Sequence, residues 1–176
     1  TIFGGATLGV VGKVGNAIQA QNTGQYVTVN DSSSLKPPTK ITVMAWVKIN
    51  NGDQGSFTPF IGKPRSGGAS YFLTLNPSER FSARMDANTN VTIQSSIFAN
   101  DNIWHFVAVS WDSSTMRIYV DGAQQASSAL SGNILYDSSS VIFRAPYTVE
   151  TLLDEIRIYN RSLSAEEIQA IYDATK

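Results

Sequence analysis

An all-β sandwich of two antiparallel sheets, carrying one short C-terminal helix, is the fold class this sequence predicts. Three observations carry that expectation. Short runs alternate apolar and polar residues with period two, as half-buried strands do. Gly, Pro, Asn, Asp and Ser separate the runs at short spacing, where turns need them. Helical signals are confined to one segment near the end.

Taken in order, the predicted strands are Ala17–Gln21, Tyr26–Val29, Ile41–Lys48, Phe57–Lys63, Tyr71–Leu75, Arg80–Asp86, Val91–Ser95, Trp104–Asp112, Thr115–Val120, Ala123–Leu130, Ser140–Arg144 and Leu153–Tyr159. Asp121-Gly122 is the strongest hairpin-turn signal, since a type I′ turn wants positive φ at both central positions. Ser113-Ser114 joins the two strands before it. Ile41, Val43, Ala45 and Val47 alternate with Met44 and Trp46, so this strand is apolar on both faces and is expected to sit centrally or beneath a second layer. Ser164 with Glu167 three residues on forms a capping box, and Ile168, Ile171 and Tyr172 then follow at helical spacing. The helix is expected to pack on the sandwich as a lid.

Composition narrows the function. The 176 residues fit one domain, and 42% hydrophobic content suffices for a core. Charged residues make up only 15% and the net charge is −1, so no global field draws the chain to nucleic acid or an anionic membrane. Cysteine is absent, which excludes disulfides, thiolate zinc sites and cysteine catalysis. No stretch reaches the roughly 18 apolar residues of a membrane span. Residues 1–14 are Gly-rich and are expected to be loosely held, with the folded domain covering 15–176. The start Thr1–Gly5 has no signal-peptide pattern and no initiator Met, so the chain reads as a module of a larger, multidomain protein.

Three blocks carry a family resemblance. Gly15-Asn16-Ala17-Ile18, Gly24–Val29 and Ile41–Lys48 resemble the opening strands of laminin-G-like jelly-roll domains of the concanavalin A-like kind. Trp104–Asp112 and Arg117–Gly122 resemble their central hairpin, and Leu153–Ile168 their closing strand and helix. The resemblance spans about residues 15–175. It implies two curved sheets with a concave face, an extracellular or cell-surface setting, and a role as a non-catalytic carbohydrate-binding module. An adhesion or assembly domain that binds protein, and a glycoside hydrolase on the same fold, are the alternatives, because fold alone does not fix function.

Catalysis is argued against by the acids. A glycosidase needs two carboxylates about 5–5.5 Å apart if retaining, and wider if inverting. Residues i and i+2 share a strand face, yet the E-x-D-x-x-E pattern of related glycanases is missing, and Asp154-Glu155 are adjacent and point to opposite faces. His105, the sole histidine, begins a core strand beside Trp104 and reads as structural. Lys63–Gly68 reads as a plain loop.

For ligand binding, Trp46 and Trp104 are expected in the core, and Trp111 at a more open strand end. The better constellation is Arg84, Arg144 and Tyr147, with Tyr71 and Asp86 as weaker members, brought together at strand ends. Arginine's planar fork suits carboxylate or sulfate, so the expected partner is a polysaccharide or glycan, neutral or acidic. A structural calcium ion is expected at Asp154, because a carboxylate inside an apolar strand needs a strong partner. The resemblance implies that the turn Gln21–Gln25 completes the site through Gly24, Asn22 and Gln25. Gln25 stands where such modules often carry Asp, which implies a less charged, weaker site.

Overall fold

The computed structural model describes residues 1–22, 24–50, 58–145 and 150–176. The strands are β1 (Ile2–Phe3), β2 (Thr7–Val11), β3 (Asn16–Ala20), β4 (Tyr26–Val29), β5 (Ile41–Ile49), β6 (Thr58–Arg65), β7 (Gly68–Leu75), β8 (Arg80–Asp86), β9 (Asn90–Phe98), β10 (Trp104–Trp111), β11 (Thr115–Val120), β12 (Ala123–Ala129), β13 (Val141–Arg144) and β14 (Thr151–Tyr159). They are followed by α1 (Ala165–Thr175).

Two seven-stranded antiparallel sheets result. The first runs β1-β4-β13-β6-β7-β8-β9 and the second β12-β11-β10-β5-β14-β3-β2. The chain changes sheet repeatedly, at β1 to β2, β3 to β4, β4 to β5, β5 to β6, β9 to β10, and again on either side of β13. These crossings close a jelly-roll sandwich, in which each sheet buries one face against the other. Ile41, Val43, Ala45, Val47, Val107, Val109 and Ile118 of the second sheet meet Ile61, Tyr71, Leu73, Ala83, Met85 and Phe143 of the first.

The double-sided pattern of β5 has the expected cause. Its other face, with Met44 and Trp46, packs with Phe106, Ala108 and Tyr119 under Leu163 and Ile168. The helix is therefore a lid over the outer face of the second sheet. Ser164 accepts from the Glu167 N–H and Glu167 reaches back to the Ser164 N–H, completing the capping box. At the far end Trp46 Nε1 donates to Thr175 Oγ1 at 2.9 Å. The turn after β11 is also as expected: Asp121 and Gly122 take φ of 51° and 82° and join Val120 to its partner Ala123.

Several expectations need correction. Trp111 is fully buried and donates to the Leu130 carbonyl at 2.7 Å, so it is no surface platform. Ile156 and Ile158, expected to be mostly buried as apolar residues of the closing strand, are only partly buried. Beyond Leu153, β14 has lost its β3 neighbour, and a bulge with Glu155 at φ 48° turns the strand. The first fourteen residues, expected to be loosely held, supply edge strands β1 and β2, paired to β4 and β3. Glycine there marks turns and a bulge, as at Gly9, whose φ of 83° lies between the pairs of Leu8 and Val10. Lys63–Gly68 is the tight hairpin of β6 and β7, and Lys63 is wholly buried, bonded to Asp31 at 2.6 Å and to the Ser139 carbonyl. The expected strand start at Phe57 lies outside the described residues.

Candidate functional site

With the lid on the second sheet, the outer face of the first sheet is the face left open. Strand pairing lays out what it carries. Thr28 pairs with Ile142, Ile142 with Gly62, Gly62 with Phe72, Phe72 with Arg84 and Arg84 with Thr92. Paired residues share a face, so these six form one row across five strand boundaries. Arg144 stands one step along β13 from that row's neighbours, on the same face as Ile142.

Phe72 is the centre of the row. A recess of about 160 Å³ on one side is lined by Phe72, Thr74, Arg84 and Thr92. A smaller one of about 40 Å³ on the other is lined by Pro59, Gly62, Pro64, Phe72, Ile142 and Arg144. A half-buried phenyl ring is thus flanked by two guanidinium groups. The ring lies over β6 because position 62 has no side chain: a Cβ there would be 2.6 Å from Phe72 Cδ1. Glycine inside a strand often marks such a close approach.

Electrostatics set the character of the face. Asp86 is buried, and its carboxylate accepts from Arg84 Nε at 2.9 Å, Arg84 Nη2 and Arg65 Nη2 at 3.2 Å, and the Ala69 N–H at 3.0 Å. Burial would raise its pKa, but the Arg84 bonds, the Ala69 N–H and Arg65 outweigh it and hold it low. Asp86 therefore stays ionised and fixes Arg84 in place. Arg144 Nε donates to the Pro59 carbonyl at 3.2 Å, which fixes the second guanidinium.

The expected site is partly redrawn by this geometry. Arg84 and Arg144 both come to the flanks of Phe72. Tyr71 does not: it pairs with Met85, is fully buried on the core side, and donates to the Leu35 carbonyl at 3.2 Å. Asp86 is a positioning group beneath the arginines, too buried and too fully bonded to receive a ligand. Tyr147 lies outside the described residues. Phe72, Thr74 and Thr92 are the residues that sequence reasoning passed over. The run Tyr71-Phe72-Leu73 is apolar throughout, so alternation cannot say which ring faces out, and Gly62 was the one available signal.

The expected calcium ligands do not come together. Asp154 Oδ2 accepts from the Val14 N–H and Oδ1 from the Glu155 N–H, each at 2.7 Å. The turn it holds is Gly12–Gly15 between β2 and β3. Residues 21–25 lie beyond Ala20, the partner of Thr151, so strand pairing sets even Gln21 about 13 Å along the sheet from Asp154 at the usual rise per residue. Within that turn, Asn22 Oδ1 accepts from the Gly24 N–H at 2.9 Å and Gln25 Oε1 from the Gln21 N–H at 2.8 Å. One carboxylate already bonded to two backbone donors, with the other oxygens a turn away, does not fit calcium's six to eight oxygen ligands. Among the described residues no group of three or more His, Cys, Asp or Glu side chains is placed to hold a metal ion.

His105 is held rather than poised. Nδ1 bonds Asp121 at 2.8 Å and Nε2 bonds Asp101 at 3.1 Å, tying the loop before β10 to the hairpin after β11. A concavity of about 520 Å³ is a shallow groove at the start of α1 lined by residues that include Lys40, Asp112, Arg117 and Ser162–Glu166. Within it Arg117 bonds Asp112 at 2.6 Å and Ser164 caps the helix. Among the described residues no helix is long and apolar enough to cross a membrane.

Fold and open face together define a jelly-roll sandwich with one sheet covered by the helix and the other uncovered. The family model described as the concanavalin A-like lectin/glucanases superfamily matches residues 21–169, and the chain belongs to that superfamily. Among solved structures, it is similar to the binding domain of Paraclostridial Mosquitocidal Protein 1, with a TM-score of 0.85 and 16% identity over 99% of this chain and 47% of that one. The botulinum neurotoxin serotype D ligand binding domain in complex with N-acetylneuraminic acid gives 0.82 and 16% over 99% and 45%. The binding domain of botulinum neurotoxin DC in complex with rat synaptotagmin II gives 0.79 and 13% over 100% and 46%. The chain thus spans just under half the length of these structures, and at such identities the likeness is one of fold. No curated protein matches the chain.

Proposed function

We propose that this chain is a non-catalytic carbohydrate-binding module, working outside the cell, whose ligand lies across the outer face of the first sheet. The observation that carries the reading is the half-buried Phe72 ring packed over Gly62 between Arg84 and Arg144. A pyranose presents an apolar face that an aromatic ring can cover, while its hydroxyls need fixed donors and acceptors beside the ring. Thr92 and the two guanidiniums supply them. The strands of this sheet hold one carboxylate, Asp86, where a glycosidase needs two, which favours binding over hydrolysis. The solved relatives add support, since one is a complex with N-acetylneuraminic acid.

Binding to protein is the second reading, and the apolar edge of β2 favours it: Val11 is 87% exposed, with Leu8 and Val14 exposed beside it. Glycan-array screening followed by amide chemical-shift mapping separates the two. Shifts centred on Phe72, Arg84 and Thr92 are expected. Shifts confined to β2, or no glycan bound at all, would overturn the carbohydrate reading.

A further inference from the structure

The charge on this molecule is unevenly placed. Its net charge is −1, yet the seven strands of the first sheet hold Lys63, Arg65, Arg80, Arg84 and Arg144 against a single acid, Asp86. Lys63 turns inward to Asp31. The others remain with the outer side or its hairpin end. In the second sheet, acids and bases alternate more evenly, with Asp154 and Glu155 beside Arg157, and α1 adds Glu166, Glu167 and Asp173.

We infer that the open face takes an anionic sugar, with a pyranose on Phe72 and its carboxylate or sulfate between Arg84 and Arg144. The inference rests on the carbohydrate reading above and narrows it by charge. Two guanidiniums, Arg65 and Arg84, share the one Asp86 carboxylate, so that cluster keeps a net positive charge. Donors also outnumber acceptors there: Arg65 Nε is buried with no hydrogen-bond partner among the described residues. Asp86 has its four bonds, and the two guanidiniums paired with it more than offset its charge. Arginine offers a planar fork that matches carboxylate and sulfate oxygens. A neutral sugar would use the ring and leave this surplus unanswered. Two guanidiniums gathered about one ring fit a single anionic sugar better than the regularly spaced phosphates of nucleic acid, which need a longer basic track.

The test is titration calorimetry with a uronic-acid oligosaccharide, its carboxyl-reduced counterpart, a sulfated neutral oligosaccharide and a single-stranded oligonucleotide of matched charge. At low salt, one of the two anionic sugars is expected to bind about tenfold tighter or more than the carboxyl-reduced one, and the gap should narrow as salt rises. Whichever anion wins identifies the acid. The double variant Arg84→Gln, Arg144→Gln should erase the gap, while Phe72→Ala should weaken every sugar. Asp86 keeps Arg65 and the Ala69 N–H in the first variant, and Arg84→Lys, which keeps the charge, should retain part of the preference. If the carboxyl-reduced sugar binds as tightly as both anionic ones and still depends on Phe72, the charge inference is wrong and the carbohydrate reading stands. If no sugar binds, both fall. Tighter binding of the oligonucleotide than of any sugar would overturn the inference in favour of nucleic acid.

Discussion

Gly62 carries the Phe72 ring. A Cβ at position 62 would lie 2.6 Å from Phe72 Cδ1 and 2.8 Å from Cε1, closer than carbon atoms approach without one of them moving. Two residues on neighbouring strands thereby fix the ring that stands between the two arginines.

Gly62→Ala is therefore expected to displace the ring, because the methyl group and the ring cannot share the space. Ligand binding should fall about tenfold, the equivalent of about 1.4 kcal/mol. Overpacking should cost about 1–3 kcal/mol of stability at most, since the ring can swing toward solvent. Calorimetry and urea melts on the same sample check both.

His105 makes stability depend on pH in a definite direction. Burial would lower its pKa, but bonds to Asp121 and Asp101 outweigh burial and raise it. A raised folded pKa means the protonated ring stabilises the fold fully below the ordinary value of about 6.5. That contribution is lost as pH rises through the folded value. Asp101 runs the other way: burial raises its pKa, the His105 bond and other bonds lower it further, and the net shift is down. Its contribution is present above about 3.9 and lost as pH falls through the folded value. The melting temperature should thus peak between about pH 4 and 6.5 and decline above it. His105→Gln should flatten the alkaline side of that profile; an unchanged profile would sink the assignment.

Phe106 lies between Trp46 and Tyr172, with ring centroids 5.6 and 6.1 Å away, and joins the second sheet to its lid. Phe106→Ala should cost about 3–5 kcal/mol, the usual loss for a buried aromatic. Trp fluorescence should shift to the red as the lid loosens over Trp46. Full stability in urea would show that the helix packs without it.

Asp154 is expected to act as a metal-free staple on the Gly12–Gly15 turn. Asp154→Ala leaves the Val14 N–H without its acceptor and should cost about 1–3 kcal/mol. Thermal midpoints of the parent protein in excess calcium and in excess chelator should coincide. A higher midpoint with calcium, lost in Asp154→Ala, would restore the ion to this site.

The sequence by itself determined the sandwich. Short apolar and period-two runs mark β3 to β14 from their own residues, though not the edge strands β1 and β2, the Asp121-Gly122 turn needs only two residues to specify it, and the Ser164–Glu167 cap needs four. These signals are local, so they survive without any knowledge of neighbours. Arg84 and Arg144 were legible too, since arginine at alternating or terminal strand positions stands out against an apolar background. Only the tertiary structure decided what surrounds them. Whether Tyr71 or Phe72 faces outward turns on one residue of register, and a one-residue slip exchanges the two faces of a strand. In an apolar run that choice is made by partners on other strands, Met85 for Tyr71 and Arg84 for Phe72. The calcium expectation met the same limit. Asp154 was rightly marked as a buried acid in need of partners, but which turn would reach it depended on how far β3 extends along β14, and that pairing brings Val14 to the carboxylate and leaves Gln25 several residues away.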